Sequence, residues 1–279
     1  MLKRLNDLAV FDAARWPARE VVGRILGGLL ALGFIASRIL KLPNSVGYIP
    51  EVRWAEPWFE KFERLPDWLA PPAYYLWENY KEFGYSREQV TLLWSLTFAL
   101  WMLITGSFLA YIIAYMTRAR AQSVAKGFTE TFFPMLVACL PFLTTLTPYT
   151  YRQWFPEKSE AHMTGLIAIL SALIVGGVLQ LVALLGLRRG FTIMSEARVF
   201  IRTGLYRWVR HPVYASHFLI YFCYTLVYFH AVTVVMYVAF VAGQAIRARI
   251  EERKLSAAFP EYEEYRKTTG MFFPRLWGR

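Results

Sequence analysis

Residues 210–229, RHPVYASHFLIYFCYTLVYF, begin with an arginine, a histidine and a proline and continue as a long apolar run. Only His230 separates this run from a second one, AVTVVMYVAFVAGQAI, at 231–246. Two apolar runs joined by so short a link predict two antiparallel helices. Such a helical hairpin returns the two ends of its helices to the same membrane face.

Polar side chains flank both open ends of the predicted hairpin. Arg210 and His211 precede its first helix, and Arg247 and Glu251 follow the second. Arg247, Glu251 and Leu255 share one helical face because they lie four residues apart. Each cluster alone also fits a solvated helix end, with ordinary ion pairs and a proline at the first helical position. Together they predict one polar site at the membrane interface.

The composition is that of a membrane protein. Of 279 residues, 56% are hydrophobic and 18% are charged. The net charge of +11 would suit nucleic-acid binding, but the basic residues lie between apolar runs rather than in one soluble patch. We therefore predict no nucleic-acid partner. Cys139 and Cys223 have no metal-ligand or disulfide spacing, so we expect two small buried hydrophobes and no metal site.

Six apolar segments could cross a bilayer. They lie at about 22–40, 90–116, 131–148, 163–187, 212–229 and 231–246. Pro134, Pro141 and Pro148 predict irregularities in the third segment. The predicted fold is all-α, a polytopic integral membrane protein with about six transmembrane helices, a C-terminal helical hairpin and interfacial helices.

The distribution of charge predicts an orientation. The N-terminal arm, the 117–127 and 188–210 loops and the C-terminal tail are basic, whereas 41–89 has six basic and eight acidic residues. Under the positive-inside rule, both termini are cytoplasmic, in a bacterial inner membrane or the endoplasmic reticulum. The tryptophans and tyrosines of 41–89 predict interfacial helices. We treat 1–279 as a single membrane domain.

Two motifs in the last third of the chain resemble a known family. GLYRWVRHPVY at 204–214 is followed, after about 36 residues, by EERKLSAAFPEYEEYRKTTGMFFP at 251–274. In order and separation they resemble the isoprenylcysteine carboxyl methyltransferase family and its phospholipid methyltransferase relatives, over roughly 186–275. The resemblance implies that 161–279 is a methyltransferase core and 1–160 a variable N-terminal membrane part.

The resemblance also implies a cofactor and a set of site residues. The cofactor would be S-adenosylmethionine, with S-adenosylhomocysteine as its product. The implied cofactor-binding residues are Arg198, Val199, Phe200, Ile201, Tyr206, His211, Pro212, Val213, Tyr214 and Glu251. Arg247 would face the methyl acceptor and, with Glu252, is predicted to be catalytic. A carboxylate acceptor needs a cation such as Arg247, whereas an amine needs a base such as Glu252 or His211.

The predicted partners are the lipid bilayer and an amphiphilic acceptor. A prenylcysteine carboxylate is the first candidate, and a phospholipid amine or a small thiol or lipid is the alternative. A membrane reductase that uses NADPH and a non-enzymatic membrane protein are more distant interpretations.

Several polar or small residues in the apolar runs have two interpretations each. His217 lies six positions after His211 and should not share its helical face, so it is either a satisfied core histidine or part of a pocket. Gly176 and its neighbour Gly177 favour close helix packing. Gln180, one turn on, could reach the site, and His230 at the hairpin tip is expected to be solvated.

Overall fold

The computed structural model describes residues 86–143, 160–187 and 189–275. The predicted span at 22–40 and nearly all of the interfacial segment lie outside these residues. Within them all regular structure is helical, as predicted, and extended backbone forms only isolated bridges. The helices are α1 (Arg87–Thr117), α2 (Gly127–Leu143), α3 (Glu160–Leu187), α4 (Pro212–Val227), α5 (Ala231–Ala258) and α6 (Tyr262–Thr268), with a short 3-10 helix at Gly204–Arg207.

Three of the described helices, α1, α3 and α5, are long and apolar enough to cross a membrane. The shorter α4 is also apolar. The helices predicted at 90–116, 163–187 and 212–229 are confirmed. A capping box at Ser86 and Gln89 starts α1 by satisfying backbone N–H groups of its first turn. The total of six spans stays a prediction.

The C-terminal hairpin is present, but its second helix is longer than predicted. His230 is exposed, as expected, and also caps α5, since its Nδ1 accepts from the Val232 N–H at 3.2 Å. The predicted helix ends at 246, where the apolar run stops, yet α5 continues to Ala258. The residues after 246 are mainly Arg, Glu, Lys, Leu and Ala, which are good helix formers. Arg247 and Glu251 therefore lie on one continuous helix.

Three prolines were predicted to make the third apolar segment irregular. One of them, Pro134, leaves a carbonyl of α2 free to bond with a distant part of the chain. Pro134 and Pro141 lie inside α2, while Pro148 lies outside the described residues. Because Pro134 has no N–H, the carbonyl of Glu130, four residues earlier, is not bonded within the helix. This carbonyl accepts from the Ser195 N–H at 2.9 Å. The segment between α3 and α4 is thereby fixed to α2.

The helices pack in a sequence in which α3 contacts both α1 and α4, and α5 contacts both α4 and α2. The prediction of close packing at Gly176 is confirmed, because a Cβ there would lie 2.8 Å from Ile220 Cγ1 on α4. The same addition at Gly177 would meet Leu103 of α1 at 3.6 Å, an ordinary contact. Gly176 thus lets α3 lie close to α4, whereas the packing of α3 on α1 does not require a glycine at 177.

The prediction that both cysteines are buried is wrong for Cys139. Cys223 is buried, but Cys139 is exposed on α2, as is Leu136 in the same helix. Large apolar side chains such as Val235 are also exposed, as expected of helices in contact with lipid. An apolar run in such a protein does not distinguish the lipid-facing surface from the core, which is why the cysteine prediction fails.

Candidate active site

A cavity of about 730 Å³ lies between the helices and the segment at 189–210. Its size is in the range of small-molecule binding sites. Polar side chains, among them His211, Arg247 and Glu251, line one end. Further along the helices from this end, the lining residues are mainly apolar: Leu100 and Ile104 on α1, Leu173 on α3, Ile220 on α4 and Phe240 on α5. The cavity is therefore amphiphilic along its length.

The two polar clusters at the ends of the hairpin meet, as the hairpin predicts. Arg210 Nε donates to Glu252 Oε1 at 2.7 Å, and His211 Nε2 lies 3.1 Å from the same oxygen. The Tyr214 hydroxyl donates to Glu251 Oε1 at 2.6 Å. The start of α4 is thus bonded to both glutamates of α5.

Arg247 is held at the polar end of the cavity with 5% of its surface exposed. Its Nε lies 3.3 Å from Glu251 Oε1, and its guanidinium carbon lies 5.1 Å from the centre of the Tyr214 ring. Its Nη2 donates to the Ile193 carbonyl at 2.7 Å. A solvated helix end is therefore the wrong interpretation of this cluster. The guanidinium is a fixed positive charge beside the cavity.

The rings at the start of α4 form a stacked pair. The centres of His211 and Tyr214 lie 5.3 Å apart, with an interplanar angle of 8°. The N–H groups of Arg210 and His211 donate to the Gly270 and Met271 carbonyls at 2.8 and 2.9 Å. The chain after α6 therefore holds the RHP residues in position, which explains why the two motifs occur together.

Arg198 links the segment between α3 and α4 to the residues just after α1 through a hydrogen bond. It is 3% exposed and pairs with Glu196 at 2.5 Å. Its Nη1 donates to the Ala119 carbonyl at 2.5 Å. These bonds fix residues 198–201 along the cavity wall.

Aromatic rings complete this wall. Phe200 packs against Tyr262 and Tyr265, with ring centres 5.4 and 5.1 Å apart. The Tyr265 hydroxyl donates to the Tyr206 carbonyl at 2.5 Å. Burial raises the pKa of the Tyr206 hydroxyl well above its ordinary value, so this group stays protonated and donates to the Ala183 carbonyl at 3.4 Å.

All of the predicted site residues except Pro212 and Glu252 line the cavity. Pro212 is the first residue of α4. Glu252 faces Arg210 and His211 and contributes instead to a neighbouring basic cleft that includes Arg249. The structure thus places Glu251, but not Glu252, on the cavity.

The structure brings further polar residues to the cavity. His217 lines it although it should not share a face with His211. The periodicity argument fails because His211 precedes the helix, with φ −125° and ψ 62°. Gln180 also lines the cavity, as do Tyr111 and Gln244, which were not predicted as site residues. A lone polar group in an apolar helix was the available signal for both.

The part of the chain that forms most of this site is similar to a known protein family. Residues 167–257 match the model of the isoprenylcysteine carboxyl methyltransferase family. The resemblance predicted from the motifs is thus confirmed over that segment. The matched segment contains α4 and most of α3 and α5, and α3 and α5 are long and apolar enough to cross a membrane.

A curated relative matches over a shorter stretch. The chain is 39% identical over 77 residues to the cobalt-zinc-cadmium resistance protein CzcN of Cupriavidus metallidurans. The match covers 27% of this chain and 36% of the relative, so the chain spans about a third of that protein's length.

Proposed function

We propose that this protein transfers a methyl group from S-adenosylmethionine to the carboxylate of an amphiphile at the cytoplasmic face of a membrane. A prenylcysteine-like carboxylate is the first candidate. The observation that carries the proposal is the cavity itself, which has Arg247 and Glu251 at one end and apolar side chains at the other. Charged reacting groups suit the first end, and a hydrocarbon tail suits the second.

The polar end suits S-adenosylmethionine, which supplies an activated methyl group when bound and leaves as S-adenosylhomocysteine. Glu251 Oε2 lies 4.0 Å from His211 Nδ1, beyond hydrogen-bond distance, so both groups can bond to a ligand. The carboxylate suits an amino group or ribose hydroxyls, and the imidazole suits a carboxylate. The Tyr206 ring offers a flat surface to adenine or a sulfonium, whereas the Tyr214 ring already contacts His211 and Arg247 and holds them in place. The stretches 198–201 and 211–214 complete the proposed site.

Arg247 is the residue that we assign to the acceptor. A carboxylate is ionised near neutral pH and needs no general base, but it needs a cation to hold and orient it. The contacts of Arg247 with Tyr214 and with the Ile193 carbonyl fix its guanidinium in advance. Less entropy is then lost when an acceptor binds.

Glu252 is proposed as a positioning residue rather than as a base. Its carboxylate bonds to Arg210 and His211 and does not line the cavity. It therefore acts on a ligand only through His211.

We further propose six spans with both termini cytoplasmic, in a bacterial inner membrane or the endoplasmic reticulum. The support is the charge of the connecting loops. The proposed partners are the bilayer and the amphiphilic acceptor, without nucleic acid or metal.

The test uses purified protein in lipid nanodiscs with a methyl-labelled donor, a lipid extract and N-acetyl-S-farnesylcysteine. We expect label in a base-labile methyl ester. Label in a base-stable N-methyl group would support the phospholipid amine instead. Titration with S-adenosylhomocysteine and NADPH distinguishes the reductase, and binding of NADPH alone would contradict the proposal.

A further inference from the structure

Three polar side chains form a hydrogen-bonded group in the cavity wall, here called the Tyr111–Gln180–His217 cluster. Gln180 Nε2 donates to the Tyr111 hydroxyl at 3.1 Å and lies 3.1 Å from His217 Nε2. The three residues belong to α1, α3 and α4. They also line the cavity. Nothing in the proposed methyl transfer so far uses them.

The cluster has hydrogen-bonding capacity that it does not use internally. The Gln180 amide donates to both neighbours, so the Tyr111 O–H, the Nδ1–H of His217 and the Gln180 carbonyl remain. Among the described residues, no protein group pairs with these three. A buried polar group in apolar surroundings is costly unless it is bonded. Because the cluster lines the cavity, a ligand can supply the missing partners.

The position of the cluster along the cavity is the same on all three helices. On α4, His217 lies between Tyr214 at the polar end and Ile220 at the apolar end. On α3, Gln180 lies between Leu187 and Leu173.

On α1, Tyr111 lies between Tyr115 and Ile104, which also line the cavity. Consider a ligand with its charged group at Arg247 and its tail among the apolar residues. The part of this ligand between the charged group and the tail would lie beside the cluster.

Two donors and one acceptor suit a secondary amide between the head and the tail of an amphiphile. The carbonyl oxygen of the amide has two lone pairs, which can accept from Tyr111 and His217, and the amide N–H can donate to the Gln180 carbonyl. An ester offers the carbonyl without the N–H, and an alkyl chain or a thioether offers neither. The cluster therefore discriminates among amphiphilic carboxylates by the group next to their head.

We infer that the Tyr111–Gln180–His217 cluster recognises a secondary amide between the carboxylate and the tail of the methyl acceptor. An N-acyl amino acid has these groups in that order, so the inference favours it over the prenylcysteine thioether that is the first candidate under the proposed function. The inference rests on the proposed carboxylate site at Arg247, and it assigns Tyr111, Gln180 and His217 the role of specificity-determining residues.

Equilibrium binding without a methyl donor tests the inference. The probes are N-palmitoylglycine, its ester analogue palmitoyl glycolate, and an alkyl carboxylate of equal length, each titrated into the protein in nanodiscs. We expect affinity to fall in that order, by about 3- to 10-fold for each hydrogen bond lost. Equal affinity for the three probes, or no binding of any, would overturn the inference.

Variants separate recognition from folding. Tyr111→Phe should lower the amide-to-alkyl affinity ratio by about 3- to 10-fold, and Gln180→Leu should lower it further. Neither should weaken binding of the alkyl carboxylate. Tyr237→Phe is the matched control, because its hydroxyl bonds to the Phe218 carbonyl at 3.4 Å and it does not line the cavity. An unchanged ratio in Tyr111→Phe and Gln180→Leu would contradict the assignment.

The same probes distinguish this inference from the proposed function. Methylation of all three carboxylates at equal efficiency would support the methyltransferase and contradict amide recognition. Preferential binding of the amide with no methylation of any carboxylate would support the cluster and contradict the proposed function.

Discussion

Glu251 and Glu252 are consecutive residues of α5 whose carboxylates have different partners. Glu251 lines the cavity and accepts from the Tyr214 hydroxyl. Glu252 is 4% exposed and bonds to Arg210 and His211. Adjacent residues of a helix do not share a face, so one glutamate can serve a ligand while the next serves the fold.

Replacing Glu251 with glutamine is predicted to weaken cofactor binding more than it weakens the fold. The change removes a charged hydrogen-bond acceptor from the cavity, and bonds to charged groups contribute about 1.5–3 kcal/mol. We expect the affinity for S-adenosylhomocysteine, measured by titration calorimetry, to fall by roughly 10-fold or more. The thermal unfolding temperature should also fall, because Arg247 loses its carboxylate partner at 3.3 Å, but by less than in Glu252→Gln, since Arg247 keeps its bond to the Ile193 carbonyl.

Glu252→Gln is the matched control, because it removes the same charge one residue along. Here Arg210 loses its carboxylate partner, and breaking a buried ion pair costs about 3–5 kcal/mol. We therefore expect a lower unfolding temperature as the main effect. If Glu251→Gln lowers stability more than Glu252→Gln, the two roles are assigned the wrong way round.

At the scale of elements, α5 approaches α2 closely at Gly243. A Cβ on Gly243 would lie 2.7 Å from Val137 Cγ2 and 3.1 Å from Cγ1. Valine is branched at Cβ and has little rotamer freedom in a helix. The pair therefore has no easy way to accommodate a larger residue.

Gly243→Ala is predicted to destabilise the protein by about 1–3 kcal/mol, the usual cost of overpacking. Gly106→Ala on α1 is the control, because the nearest side-chain atom, Leu181 Cδ2, would lie 3.9 Å from the new Cβ. Alanine also favours the helix relative to glycine. Thermal unfolding in the same detergent checks both variants. Equal losses of stability in the two variants would show that the contact between α2 and α5 is not the reason why an added methyl group destabilises the protein.

The sequence predicts the bounds of α1, α3 and α4 to within three residues but misses the end of α5 by twelve. Apolar runs locate α1, α3 and α4, and the hairpin follows from the single residue between two runs. The end of α5 is not predicted, because the end of an apolar run shows where the chain leaves the membrane and not where the helix ends. The helix continues through Arg247 and Glu251. The bond between Ser195 and the Glu130 carbonyl is not predictable, since it depends on which distant segment meets α2.

At the scale of the whole molecule, the site depends on which helices become neighbours. The meeting of His211 with Glu251 follows from the hairpin alone, and the sequence predicts it. The contribution of Tyr111 requires α1 to pack on α3, which no local pattern indicates. The site is thus predictable where it is built from one hairpin and not where other helices contribute.

The topology predicts which surfaces face the same side of the membrane. In a background with Cys139 and Cys223 replaced by alanine, Arg207→Cys and Arg253→Cys should react with an impermeant maleimide from one side. Phe229→Cys, at the hairpin tip, should react from the other. Labelling of all three from one side would contradict the hairpin as a membrane-crossing unit.

The proposed methyl transfer to a carboxylate depends most directly on Arg247, which holds the acceptor, and replacing Arg247 tests it. Arg249 is the control, since it is an exposed arginine two positions along the same helix. With a methyl-labelled donor and an amphiphilic carboxylate, we expect Arg247→Ala to lower kcat/KM by about 10- to 100-fold, as for loss of a charged hydrogen bond. Arg249→Ala should match the wild type. Equal methylation by wild type and Arg247→Ala would contradict the account.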